Sequence, residues 1–117
     1  ANPCLNPEVN IGTGSMDRER WAPVVERFMD DLHRFECCGR HLDVRENVNF
    51  RGRELARRVH RDYAGRGCVL AVEFKKFFMD EWTGILDLDQ FGQLRRLLRR
   101  ALPGLEESLR RVLECEK

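Results

Sequence analysis

Residues 68–82 read CVLAVEFKKFFMDEW, and the conformation of this stretch decides the fold class. Its first seven residues form an apolar run that suits either a buried strand or a buried helix. The run continues through residues 75–82, where Phe77, Phe78 and Trp82 extend a spacing typical of a helix. A helix that is apolar on almost every side lies at the centre of a bundle. The stretch therefore predicts a buried, Phe-rich central helix.

The sequence on both sides of this stretch also shows helical periodicity. From Trp21 to Phe35, apolar residues recur at steps of three and four, and Pro103-Gly104 interrupts a second such series. Residues 40–49 lack a periodic stripe and are predicted to be a connection. Besides the central helix, the predicted helices cover about residues 20–38, 51–64, 89–102 and 105–115. Without a convincing strand, the fold class is predicted to be all-α, a compact bundle of about five helices.

The composition indicates one globular domain. The chain has 117 residues, of which 42% are hydrophobic and 35% are charged, and its net charge is +1. Such a chain can bury a core. No apolar run approaches the roughly 18–20 residues that span a bilayer, so we expect no membrane partner. Five cysteines, with Cys37 and Cys38 adjacent, favour a reducing compartment, and we expect an intracellular protein, cytoplasmic or nuclear.

The N-terminal residues suggest a fusion. Residues 12–15 read GTGS, as a cloning linker does, and Met16 follows as an initiator would. We therefore predict that residues 1–15 are foreign and that residues 16–117 form a single helical domain. For residues 1–11, three origins stay open: a tag remnant, a partner peptide tethered to its receptor, and a native N-terminus.

A tethered peptide would bind through its apolar side chains. Tethering raises the effective concentration to the millimolar range, which strengthens a weak complex. Two prolines forbid a long helix, so the peptide would lie extended along a groove of the bundle. Its predicted anchors are Leu5, Val9 and Ile11.

The sequence contains no convincing catalytic or metal-binding arrangement. His33, Cys37, Cys38 and His41 carry metal-binding atoms, but adjacent cysteines on a helix point about 100° apart and cannot easily share a metal. Glycine-rich phosphate loops are absent from the sequence, and Ser108 lies in a predicted helix beside two glutamates. We therefore expect no enzyme activity, no cofactor and no metal.

These observations favour a protein-interaction domain, such as an adaptor, that binds a short peptide or a partner helix in a groove between helices. The aromatic residues predicted to line this groove are Phe28, Phe35, Phe78 and Trp82. The alternative is nucleic-acid binding by arginines on the second and fourth predicted helices. The basic face of the second predicted helix consists of Arg53, Arg57 and Arg61, and the fourth carries Arg95, Arg96, Arg99 and Arg100.

Overall fold

The computed structural model describes residues 7–48, 50–80 and 82–115, and these residues form an α/β fold. The prediction of an all-α bundle of five helices is therefore wrong. Three helices and three strands alternate along the described chain. In order they are β1 (Val9–Gly12), α1 (Ala22–Arg34), β2 (Val44–Glu46), α2 (Glu54–Asp62), β3 (Ala71–Phe74) and α3 (Leu88–Glu114).

The three strands form one mixed sheet in the order β2-β1-β3. Val9 of β1 lies opposite Val44 of β2 in a parallel pair and opposite Phe74 of β3 in an antiparallel pair. The parallel pair requires a crossover, and α1 supplies it. Strand β2 lies within residues 40–49, which the sequence predicted to be a connection without regular structure.

Residues 68–80 contain a strand followed by turns, so the predicted Phe-rich central helix does not form. Its apolar run suited either conformation, and β-branched residues such as Val72 favour a strand where pairing partners are available. Strand β1 provides those partners, and Lys75 N–H donates to Glu8 O (2.8 Å), which extends the pairing beyond Phe74. Phe77 and Phe78 pack against the core from the following turns.

Helices α1 and α2 form where the sequence predicts helices, but both are shorter. Helix α1 ends at Arg34 because Phe35 adopts an extended backbone, and a turn follows in which Cys38 has a φ of 56°. Helix α2 covers nine residues, and Ala56 is the buried residue among them. Residues 35–38 and 63–64, which the sequence assigned to the ends of these helices, lie outside them.

Helix α3 runs without a break through Pro103, so the two helices predicted on either side of Pro103-Gly104 are one. Proline within a helix removes a hydrogen bond and costs about 3 kcal/mol. Packing compensates for this cost, because a stripe of α3 residues on both sides of Pro103 is buried, and α1 packs mainly against α3. The buried stripe consists of Leu94, Leu97, Ala101, Gly104, Ser108 and Val112.

The core has two parts, one beside the sheet and one at the far ends of α1 and α3. Beside the sheet, Val9 and Ile11 of β1 pack with Phe28 and Leu32 of α1. In the second part, Trp21 packs in a cluster with Val25, Val24, Met16 and Val112. Helices α1 and α3 contribute to both parts of the core, so the distance between these helices determines how the two parts fit together.

Gly104 sets the separation of α1 and α3. The buried carboxylate of Asp31 accepts hydrogen bonds from Arg27 Nε (2.9 Å) and Arg34 Nη2 (2.9 Å). A Cβ at Gly104 would overlap Asp31 Oδ2, whereas a Cβ at Gly92 of the same helix would meet nothing within 4 Å.

We expect Gly104→Ala and Gly92→Ala to have opposite effects on stability. Gly104→Ala forces α1 and α3 apart at Asp31, and we expect it to lower the free energy of unfolding by about 1–3 kcal/mol. Gly92→Ala adds a methyl in open space within a helix and should raise that free energy by about 0.5–1 kcal/mol. Urea denaturation of both variants measures the two effects, and changes of the same sign would contradict the close contact.

Candidate functional site

An apolar groove of about 600 Å³ lies between α1, the segment 66–70 and the second half of α3. It is open to solvent along one side, and its walls come from three separate parts of the chain. The groove is lined by Val24, Arg66, Gly67, Cys68, Leu70, Leu102, Leu105, Glu106 and Leu109.

The α3 wall of the groove belongs to a second apolar stripe that points away from the core. Leu102 is 58% exposed, and Leu109 and Leu113 are also exposed. These leucines recur at steps of seven and four, so they lie on one face of the helix beside the buried stripe. A shallower concavity beside Leu109 continues this face to Leu113. Helix α3 therefore has one apolar face on α1 and another that is open to solvent.

Charged side chains flank the groove. Glu106 pairs with Arg110 one turn further on (3.1 Å). On the opposite wall Arg66 has no ion-pair partner within the part of the chain that the structure describes. Arg95 and Arg99 precede Leu102 on the same helix face, at steps of four and three. The groove therefore combines an apolar floor with a mostly basic margin.

Cys68 forms part of the apolar wall. Burial raises the pKa of its thiol above the ordinary value. A thiol with a raised pKa is protonated at neutral pH and is a poor nucleophile. Cys68 therefore contributes to the groove by packing.

Ser15 and His60 form the pair closest to a catalytic arrangement. Ser15 Oγ lies 2.7 Å from His60 Nδ1, and Val69 N–H donates to His60 Nε2 (2.9 Å). Because Nε2 accepts, the neutral ring carries its hydrogen on Nδ1 and donates to Ser15 Oγ. A ring in this form cannot remove the Ser15 proton. The pair ties residue 15 and residue 69 to α2, and sequence reasoning missed it because Ser15 was assigned to a linker.

A polar cluster lies at the carboxyl ends of the parallel strands β1 and β2, where α/β folds often bind ligands. Arg18 makes two hydrogen bonds to Glu46 (2.7 and 3.1 Å), and its guanidinium lowers the pKa of that carboxyl. Thr13 N–H donates to Asn47 Oδ1 (2.8 Å), and Thr13 Oγ1 donates to Glu46. The groups of this cluster bind one another, so the cluster closes the end of the sheet.

The four aromatic residues predicted to bind a peptide lie in different environments. Phe28 is buried beside the sheet, and the guanidinium groups of Arg34 and Arg100 lie 4.6 and 4.1 Å from the centre of the Phe35 ring. Phe78 packs on Phe91, with ring centroids 6.1 Å apart, whereas Trp82 is 97% exposed. The structure brings Phe28, Phe35 and Phe78 to one core cluster and places Trp82 apart from it. Their role in peptide binding stays a prediction.

The predicted anchors of the N-terminal peptide are partly described. Val9 and Ile11 are fully buried in β1, in the same cluster as Phe28, while Leu5 lies outside the described residues. Glu8 accepts hydrogen bonds from Arg40. Residues 9–12 are thus the middle strand of the sheet, and the foreign origin of residues 1–15 stays a prediction.

The predicted basic face lies on the solvent side of α2. Arg53 stacks over Phe50 at 5.7 Å, Arg57 is exposed, and Arg61 pairs with the neighbouring Asp62 (3.0 Å). On the same helix Leu55 is 70% exposed. The arginines are accessible, and their binding of nucleic acid stays a prediction.

Metal-binding residue types do not converge within residues 7–48, 50–80 and 82–115, where no group of three such side chains could hold an ion. Cys37 Sγ and Cys38 Sγ lie 3.7 Å apart, and burial raises the pKa of Cys37 to about 12. None of the described helices has a stretch long and apolar enough to cross a membrane.

We expect His60 to make stability depend on pH. Burial lowers the pKa of His60 below its ordinary 6.5, so the unfolded chain binds a proton more readily than the folded protein. The free energy of unfolding should therefore fall as the pH drops through about 6.5 and below. Urea denaturation at a series of pH values measures this slope. His60→Gln should flatten this slope, whereas His41→Gln, at an exposed site, should not. An unchanged slope in His60→Gln would show that His60 is not the source of the pH dependence.

Comparison with known protein families, with curated proteins and with solved structures finds no match to this chain. The groove is therefore interpreted from its own geometry and charges.

Proposed function

We propose that this protein is a non-catalytic protein-interaction domain that binds an amphipathic helix of a partner in the groove between α1, residues 66–70 and α3. One observation carries the proposal. Leu102 and Leu109 are exposed on α3 directly beside a concave apolar wall that includes Val24 and Leu70. Exposed apolar surface next to a concave wall is characteristic of interaction sites.

The shape of the groove favours a helix over an extended peptide. The open stripe of α3 extends from Leu102 to Leu113, a length of about 16 Å, or three helical turns. Its leucine spacing matches the ridges that a second helix packs between. An extended peptide gains affinity from a free strand edge, which the groove does not offer, since its walls are two helices and a loop. A helix with leucines at steps of three and four is the better match.

The expected affinity is moderate. Burying an exposed leucine contributes about 1.5–3 kcal/mol, and the groove offers two or three such side chains. Loss of translational and rotational freedom offsets much of this gain. We therefore expect dissociation constants in the micromolar range, as is typical of small interfaces.

The groove can be tested with a displayed library of helical peptides that carry leucines at steps of three and four. We expect binders selected against the protein to lose at least about tenfold in affinity for Leu102→Asp, because a carboxylate in the groove would be desolvated on binding. Leu55→Asp is the matched control, since Leu55 is also exposed (70%, against 58% for Leu102) and lies on another helix. Circular dichroism checks that both variants fold, and isothermal calorimetry measures the affinities.

Two outcomes would contradict the proposal. One is a library that yields no binder. The other is a set of binders that lose the same affinity with Leu55→Asp as with Leu102→Asp, because those peptides would bind outside the groove.

Nucleic-acid binding is the second candidate, and the arginines of α3 support it. Arg95, Arg96 and Arg99 are exposed and have no acidic partner within the described residues. If these arginines bind phosphates, the affinity for duplex DNA should fall with salt at a log–log slope of about −0.9 per phosphate. Fluorescence anisotropy at about 50 and 200 mM salt measures this slope. Reversing the charges of Arg95, Arg96 and Arg99 should abolish binding, and salt-independent affinity would exclude this function.

A further inference from the structure

A second exposed apolar surface lies in the loop before α3 and at the start of that helix. Trp82 is 97% exposed, Ile85 is exposed, and Leu88 is 76% exposed. We call these three residues the apolar tip. A tryptophan that is almost fully solvated leaves a large apolar area in contact with water. Three such side chains within seven residues expose apolar area of the kind that marks an interface.

Hydrogen bonds within the loop hold the apolar tip in place. Asp80 Oδ1 accepts from Trp82 N–H (2.8 Å) and Thr83 N–H (3.3 Å), while Asp80 N–H donates to Ile85 O (2.9 Å). Gly84 adopts a φ of 73°, which a glycine does without strain. Because these hydrogen bonds fix the backbone at Trp82 and Ile85, burying Trp82 at an interface costs little further backbone entropy.

The apolar tip has acidic flanks. Asp80, Asp87 and Asp89 accept hydrogen bonds from backbone or glutamine N–H groups of their own segment. Within the described residues these three carboxylates have no cationic partner.

The margin of the groove has the opposite charge. Arg66 lines the groove, and Arg99 and Arg95 lie one and two turns before its leucines on the same face of α3. These three arginines have no acidic partner among the described residues, whereas Glu106, which also lines the groove, is paired with Arg110. An apolar surface with acidic flanks thus matches an apolar groove with a basic margin, both in hydrophobicity and in charge.

The tip cannot reach the groove of its own chain. Leu88 begins α3 and Leu105 lies in the groove, and the rigid helix separates them by about 25 Å. Asp87 N–H donates to Phe78 O (2.7 Å), which fixes the tip at the start of α3. The tip of a second copy has no such restriction.

We propose that the groove binds the apolar tip of a second copy of this chain, so that copies associate head to tail. This inference rests on the proposed function of the groove as a protein-binding site and not on its fit to a helix, since Trp82 and Ile85 of the tip lie in the loop before α3. The two surfaces are different, so the contact is heterologous and leaves one free tip and one free groove on every dimer. The contact is small, and assembly should therefore be weak, grow with concentration and decrease with salt.

Sedimentation equilibrium with two complementary variants tests the head-to-tail contact. For the unaltered chain, the average mass should rise above 13.8 kDa as the concentration increases from about 5 to 500 μM. Trp82→Asp removes the tip and Leu102→Asp alters the groove, so each variant alone should stay monomeric. An equimolar mixture should form dimers and nothing larger, because only one tip and one groove remain for each pair. Leu109→Asp serves as a second groove variant, and Leu55→Asp should assemble as the unaltered chain does.

The outcomes separate this inference from the proposed function. A chain that stays monomeric throughout, while library-selected helices still bind the groove, overturns the head-to-tail contact and leaves the proposed function intact. Dimers formed by either variant alone overturn it as well, since they would use another surface. If the Leu102→Asp variant neither assembles nor binds peptides, and mixing it with the Trp82→Asp variant restores dimers, the head-to-tail contact and the proposed function are both supported.

Discussion

Strand β1 is the element on which the rest of the structure depends, because it is the middle strand and both of its faces are used. On one face Val9 and Ile11 pack against α1, and on the other Asn10 makes long-range hydrogen bonds. Asn10 Nδ2 donates to Phe50 O (2.7 Å), and Val48 N–H donates to Asn10 Oδ1 (2.9 Å). Strands β2 and β3 have no other strand to pair with in the described chain, so their register is defined by β1 alone.

The influence of β1 extends to the chain that follows it. Gly14 N–H donates to Arg51 O (2.8 Å), and a Cβ at Gly12 would lie 2.7 Å from the backbone carbon of Arg51. The loop before α2 can approach β1 this closely only because residue 12 has no side chain. A GTGS sequence that resembles a flexible linker is therefore a close-packed junction between the sheet and α2.

The sequence predicted the helices better than the sheet, and the reason is physical. Helical periodicity is local, so α1 and both halves of α3 could be located from their own residues. A strand depends on partners elsewhere in the chain, and the partner of residues 71–74 was residues 9–12, which the sequence analysis set aside as foreign. The predicted break at Pro103 considered only the energetic cost of a proline within a helix. The helix is continuous because α3 residues on both sides of Pro103 pack against α1. None of the four aromatic residues that the sequence predicted to bind a peptide lines the groove. The groove depends on which leucines of α3 lie beside α1, and only the packing shows this.

The separation of β1 and β3 along the chain has a consequence for biosynthesis. Val9 pairs with Phe74, and a ribosome that adds roughly 5–20 residues per second needs several seconds to synthesise the intervening chain. During that time β1 and the apolar face of α1 are complete, but the third strand does not yet exist. The nascent chain thus presents an unpaired strand that a chaperone could shield and that another nascent chain could pair with. Pairing of β1 with β3 is therefore late, and a high local concentration of nascent chains would increase the chance that β1 pairs with another chain.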